Sequence, residues 1–143
     1  MGEARMLGLE EVRARLRALP EGLKGPVGET LEKEVEHLVG AIKEVCPVSV
    51  DLEKHPGEIR DSIHSYANPD RELSFRVIAN ARDDKGEFTP PHLEYGHIAP
   101  DGTHVPPHPF FWPVWRALKT GIRRRLSASA RKAAKALFPK ETS

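Results

Sequence analysis

Helical periodicity in both halves of the chain, short alternating segments between them and a polar composition predict a single mixed domain of the α+β class. The 143 residues suit one domain. Hydrophobic residues make up 38% and charged residues 30%, and Phe, Trp and Tyr supply only nine side chains. The core is therefore expected to be modest, or completed by neighbouring subunits.

Leu9, Val12, Leu16 and Leu19 recur at helical spacing, which predicts a short amphipathic helix over Leu7 to Leu19 that Pro20 stops. Pro20, Gly22, Gly25, Pro26 and Gly28 then read as a breaker-rich link. Leu31, Val35, Leu38, Ile42 and Val45 follow at intervals of three and four, the strongest helix signal in the chain. Glu29, Glu32 and Glu34 are placed in its first turns, where the helix dipole favours anions, and Pro47 ends it. Residues 47 to 58 read as loop, with a turn at Pro56-Gly57, and Ile59 to Ile63 as a short strand. Leu73 to Ile78 alternates like a half-buried strand, Asn80 to Gly86 reads as a turn, and His92 to Gly96 as another short strand in which Gly96 supplies a positive φ or a bulge. Five prolines between Ala99 and Pro113 predict an extended loop. Beyond it, Val114, Leu118, Ile122 and Leu126 mark a long C-terminal helix that Pro113 suits as a first turn and Pro139 closes.

The net charge of +1 hides an asymmetry: residues 1–72 hold fifteen acidic and ten basic side chains, residues 73–143 six acidic and twelve basic. Two ends or faces of opposite sign follow, either as an accident of composition or as complementary packing of unlike ends in an oligomer. The lone Cys46 has no internal disulfide partner and sits in an apolar-periodic segment, as a buried small hydrophobe does. No run of about 18 apolar residues and no secretory pattern is present, so neither a membrane span nor a secretory signal is expected and synthesis in the cytoplasm is.

Chemistry-bearing residues are sparse. His92, His97, His104 and His108 cluster, but their spacing matches no metal-ligand motif, and a stiff Val-Pro-Pro separates the last two. No glycine elbow surrounds a serine and no phosphate-binding loop is present, so neither an enzyme activity nor a cofactor or metal site is expected. Phe110, Phe111, Trp112 and Trp115 place four aromatics within six positions, which anchor the C-terminal helix on the sheet in part and contact a neighbouring subunit in part. The following helix carries Arg116, Lys119, Arg123, Arg124, Arg125, Arg131, Lys132 and Lys135 with no acidic residue. This stripe is a solvated face, a surface for the acidic half of a neighbour, or, third in rank, a contact for nucleic acid.

Three blocks resemble one known family. Cys46-Pro47-Val48 with Pro56-Gly57-Glu58-Ile59-Arg60-Asp61-Ser62-Ile63 is the first, Leu93-Glu94-Tyr95-Gly96 the second, and Pro106-Pro107-His108-Pro109-Phe110-Phe111-Trp112-Pro113 the third. In this order and spacing, over about residues 28–137, the chain resembles the gp-ten-like tail-component family of siphophages, although Pro56 stands where the family has threonine and Val114-Trp115 where it has a small residue. The resemblance implies an α+β subunit with a small antiparallel sheet packed by a long helix of the N-terminal half and a C-terminal helix. It divides the chain into a leading helix and linker over 1–27, a core over 28–138 and a tail over 139–143. It further implies a sixfold ring of identical subunits in the virion, where the tail tube or tail terminator meets the head connector, with DNA passing through the lumen without sequence-specific binding. Tyr95 and Arg60 join the four aromatics as expected interface or docking residues, and Arg116, Lys119, Arg123, Arg124 and Arg131 as a DNA- or subunit-facing stripe. The alternative from another class is a nucleic-acid-binding accessory protein that uses the basic helix, and a metal-dependent hydrolase built on the histidine loop comes third.

Overall fold

The computed structural model describes residues 20–48, 57–82 and 85–137. The helix expected over Leu7 to Leu19, Pro56 of the expected turn and the closing Pro139 lie outside these residues. The described chain runs α1 (Glu21–Val45), α2 (Glu58–Asp61), β1 (Ile63–Ala67), β2 (Phe75–Ala79), α3 (Pro90–Tyr95), β3 (His97–Ile98), β4 (His104–Val105) and α4 (Trp112–Leu137). This is the α+β arrangement expected: two long helices pack together beside a small antiparallel sheet.

α1 begins eight residues before Glu29, so the expected link over Pro20 to Gly28 is helical instead. Burial overrides propensity here: Leu23 and Val27 lie on the core face, with Val27 fully enclosed. The breakers serve other ends. A Cβ on Gly22 would lie 2.7 Å from Leu137 Cδ1, and one on Gly28 would lie 3.2 Å from Leu73 Cδ2, so these glycines let neighbouring segments approach. Pro26 has no N–H to donate within the helix, but its carbonyl accepts the Thr30 hydroxyl at 3.2 Å. Glu34 is consequently a mid-helix residue, in phase with Val27 and Leu38 and buried with them. The helix stops at Val45, and the Cys46 N–H closes the last turn on the Ile42 carbonyl.

α4 runs antiparallel to α1: Gly22 meets Leu137, Thr30 Oγ1 lies 2.8 Å from Ser129 Oγ, and Glu34 meets Arg125. Val114, Ile122 and Leu126, three of the four positions expected to mark this helix, are buried, and Leu118 packs at their edge. The core joins them to Val27, Leu38 and Ile42 of α1, Ile63 of β1, Cys46 and Phe110. Among these, Ile42, Ile63 and Phe110 are the largest side chains fully removed from water, each worth roughly 1.5–3 kcal/mol.

β1 and β2 pair antiparallel, with Ile63 opposite Ala79, Ser65 opposite Val77 and Ala67 opposite Phe75. The expected strand over Leu73 to Ile78 is therefore shifted to Phe75–Ala79, because Leu73 takes a φ of 51° in the turn that reverses the chain. Two other expected strands are helical. Gly57, at φ 79°, turns the chain into the single helical turn Glu58–Asp61, so that of Ile59 to Ile63 only Ile63 reaches the sheet. Pro90 and Pro91 preset the first turn of α3, making His92 to Tyr95 helical, and a run of five residues does not distinguish the two periods. The expected loop from Ala99 to Pro113 contains β4, which pairs antiparallel with β3 across a turn closed by Ala99 N–H to the Thr103 carbonyl at 2.8 Å. The Asn80 to Gly86 turn is seen in its described residues, where Arg82 bonds the Gly86 carbonyl at 2.6 Å. Among the described residues no helix is long and apolar enough to cross a membrane.

Cys46 is 4% exposed, and burial pushes its thiol up to about 11, with the positive charge of Arg60 opposing the shift. A raised pKa means the fold favours the neutral thiol. That contribution is complete below the unfolded value of about 8.5 and is lost as pH rises toward 11. At pH 8 the folded protein is expected to react with a disulfide reagent only as fast as it unfolds, whereas denatured protein reacts at once. A native thiol as reactive as free cysteine contradicts this placement.

Candidate functional site

Two of the sequence blocks that carry the resemblance are joined by one side chain, and described residues of the remaining block share their core. Glu94, on α3, is only 6% exposed. Its Oε2 accepts the backbone N–H groups of Phe110 at 2.8 Å and Phe111 at 3.0 Å, and its Oε1 accepts that of Trp112 at 3.1 Å. Phe111 is the residue whose carbonyl takes the first helical bond, from the Trp115 N–H, so Glu94 binds the N-terminal end of α4. Negative charge is favoured at this end of a helix, and Pro113, in the first turn, has no N–H left to satisfy. A carboxylate from a separate segment thus does the work that a local Ser, Thr or Asp usually does.

The backbone around Glu94 is tied in parallel. His108 N–H donates to the Leu93 carbonyl at 2.8 Å. Gly96, at φ 75°, passes so close to the other strand that a Cβ would lie 2.7 Å from the Val105 carbonyl oxygen and 3.0 Å from Pro107 N. The positive φ expected at Gly96 is thus present, and a close approach adds a second reason for glycine. The second and third blocks therefore run side by side. The first block meets them in the core, where Cys46 and Ile63 pack with Phe110 while Ile59 and Leu93 close its margin.

The expected docking residues divide by burial. Phe110 is 1% exposed and anchors the segment, while Phe111 and Trp115 are half-buried against the core. Trp112 stacks edge-on against Phe111 at 5.2 Å, and its indole N–H donates to the Tyr95 hydroxyl at 2.7 Å. Tyr95 itself is 65% exposed. An open groove of about 620 Å³ separates this cluster from the β1–β2 hairpin, with Tyr66, Val77, Pro91, Tyr95 and Phe111 among its walls. Arg60 stands apart from the aromatics: it pairs with Asp61 at 3.5 Å and lies over Gly57.

On α4, Arg116, Arg124 and Arg131 are exposed, and Lys119 and Arg123 half-buried. Arg125 turns the other way and grips Glu34, with Nε on Oε1 at 2.5 Å and Nη2 on Oε2 at 3.0 Å. The carboxylate raises the Arg125 pKa further above its ordinary value. Sequence reading placed Glu34 in the first turns of its helix and Arg125 in the basic stripe, yet Glu34 falls seven residues after Val27 and four before Leu38, a spacing that places it on the apolar stripe. The capping role of Glu94 left no such periodic trace. Of the histidines, His92 and His97 stack with ring centres 4.8 Å apart, and His104 and His108 are exposed. Among the described residues no group of three or more His, Cys, Asp or Glu side chains is placed to hold a metal ion.

Comparisons with protein-family models, with curated proteins and with solved structures find no match to this chain. What the chain does must be argued from its own residues.

Replacing Glu94 by Ala leaves three backbone donors without their acceptor beside a buried Phe110 and is expected to cost roughly 3 kcal/mol. Glu94→Gln keeps one acceptor oxygen and is expected to cost roughly half as much, while Glu36→Ala at an exposed position stays within about 0.5 kcal/mol of the parent. Urea unfolding of the three variants checks the order. Equal stability of Glu94→Ala and Glu36→Ala contradicts the capping role.

Proposed function

We propose that this protein is a structural virion component of a tailed bacteriophage or prophage, a ring-forming subunit at the head-tail junction that completes the tail or closes the neck. The observation that carries the reading is the joining of the second and third blocks through Glu94 beside a core that the first block shares. The second and third of the blocks that resemble the siphophage family share one hydrogen-bond cluster, and Cys46 and Ile63 of the first lie in the same core as Phe110. A small core, an exposed Tyr95 and a charged helix surface suit a subunit whose role is geometric. The partners under this reading are further copies of the chain, the tail tube or terminator, and the head connector, with DNA in the lumen.

A second reading rests on a separate observation: α4 carries eight basic residues and no acidic one. Such a helix suits a nucleic-acid-binding accessory protein, whose affinity for duplex DNA falls steeply with salt.

Light scattering coupled to size exclusion, followed by negative-stain imaging and mixing with purified tail tubes, tests the proposal. A closed ring with a central channel that seats on tail tubes is the expected result. A monomer at every concentration that binds neither tail tubes nor connector overturns it.

A further inference from the structure

α1 and α4 form a two-helix layer, and its two outer edges have opposite charge. Thr30 and Glu34 mark the side of α1 that faces α4, through Ser129 and Arg125. Glu29, Glu32 and Glu36 are exposed and lie roughly 150° around the helix from that side, at about 100° per residue. On α4, Ser129 and Arg125 mark the side that faces α1, and exposed Arg116, Arg124 and Arg131 lie roughly 150° away from it. One edge of the layer therefore carries three exposed glutamates with half-buried Lys43 as the basic residue among them, and the opposite edge is basic. The acidic edge is also smooth. Gly25 and Gly40 fall on the same stripe as the three glutamates, both are exposed, and a Cβ on either would meet nothing within 4 Å among the described residues. Glycine is among the poorest helix formers, and packing among the described residues gives no reason for it at these two positions, whereas Gly22 and Gly28 each have a neighbour that needs the space.

We infer that the basic edge of α4 docks on the acidic edge of α1 in a second copy of this chain, extending the helix layer from subunit to subunit. The contact joins different surfaces, head to tail, so it repeats until it closes, which is the geometry a ring requires and a twofold dimer lacks. Arginine dominates the basic stripe and reaches carboxylates with a planar, two-pronged fork, while the glycines let the helices come close. The inference rests on the ring reading above and names the surface that builds the ring.

The test uses the full chain in two charge-reversed forms. The acidic-edge variant carries Glu29→Lys, Glu32→Lys and Glu36→Lys, and the basic-edge variant carries Arg116→Glu, Arg124→Glu and Arg131→Glu. Each variant then presents two edges of like charge and is expected at the monomer mass of 16.0 kDa, with the helical circular dichroism of the parent. Mixed in equal amounts they regain complementary edges and are expected to restore the mass of the parent assembly, as is one chain carrying all six changes. A variant that failed to fold would not be rescued by mixing, so an equimolar mixture that stays monomeric overturns the inference. Assembly of either single-edge variant to the parent mass also overturns it and leaves the ring reading standing, because the ring then closes elsewhere. A parent chain that is monomeric at low salt at every concentration overturns the inference, and overturns the ring reading as well if it binds neither tail tubes nor connector. If that monomer instead binds duplex DNA and the basic-edge variant does not, the stripe is a nucleic-acid surface. A ring that forms through these edges and ignores tail tubes upholds the inference and removes the phage assignment.

Discussion

The Glu94 carboxylate is the constraint on which the rest of the arrangement depends. The chain between β2 and α4 has little regular structure of its own: a short helix, two strands of two residues each and a proline-rich return. Such a segment loses conformational entropy on ordering and recovers little of it by burying apolar surface. Three backbone N–H groups, collected by one buried charge, fix where that return ends and where α4 begins. Phe110 then drops into the core beside Ile42 and Ile63, and Trp112 is held over Tyr95. Without the carboxylate, the donors at the start of α4 have no partner in an apolar setting, and the long helix loses its fixed origin.

The Glu34–Arg125 pair sets the register of the two long helices in the same manner. It is a two-pronged contact on the edge of an otherwise apolar seam, with the guanidinium half in solvent, so its contribution is less to stability than to alignment. Together with Thr30–Ser129 it specifies which turn of α1 faces which turn of α4. That alignment places the acidic and basic residues the pair does not use on opposite outer edges. Internal register and external charge pattern are therefore one property of the helix pair.

Much of this was legible in the sequence where periodicity ran long. The apolar spacing of Leu31 to Val45 and of Val114 to Leu126 announced both major helices, and Pro47 and Pro113 bounded them. Short elements were not legible. Ile59 to Ile63 and His92 to Gly96 contain too few residues for one period to exclude another, and the deciding influences, a positive φ at Gly57 and two prolines at the start of α3, act on the backbone rather than through hydrophobic pattern. Pro20 to Gly28 misled for the opposite reason: a propensity deficit spread over nine residues was outweighed by the burial of Leu23 and Val27. At the site, the aromatic cluster was visible as composition and the Glu-aromatic-Gly block as resemblance. The hydrogen bonds joining Glu94 to Phe110, Phe111 and Trp112 link residues sixteen to eighteen apart, a separation that leaves no local pattern to read.

Residue-resolved amide hydrogen exchange at Phe110, Phe111 and Trp112 tests the central claim most directly. A carboxylate that holds all three in a buried setting protects them as strongly as the amides of Ile42 and Leu126 in the helix pair, so that the five exchange together through unfolding of the whole domain. Exchange of the three at the rate of an exposed turn, while Ile42 and Leu126 stay protected, would mean that the return segment is not clasped and that α4 takes its position from helix packing alone.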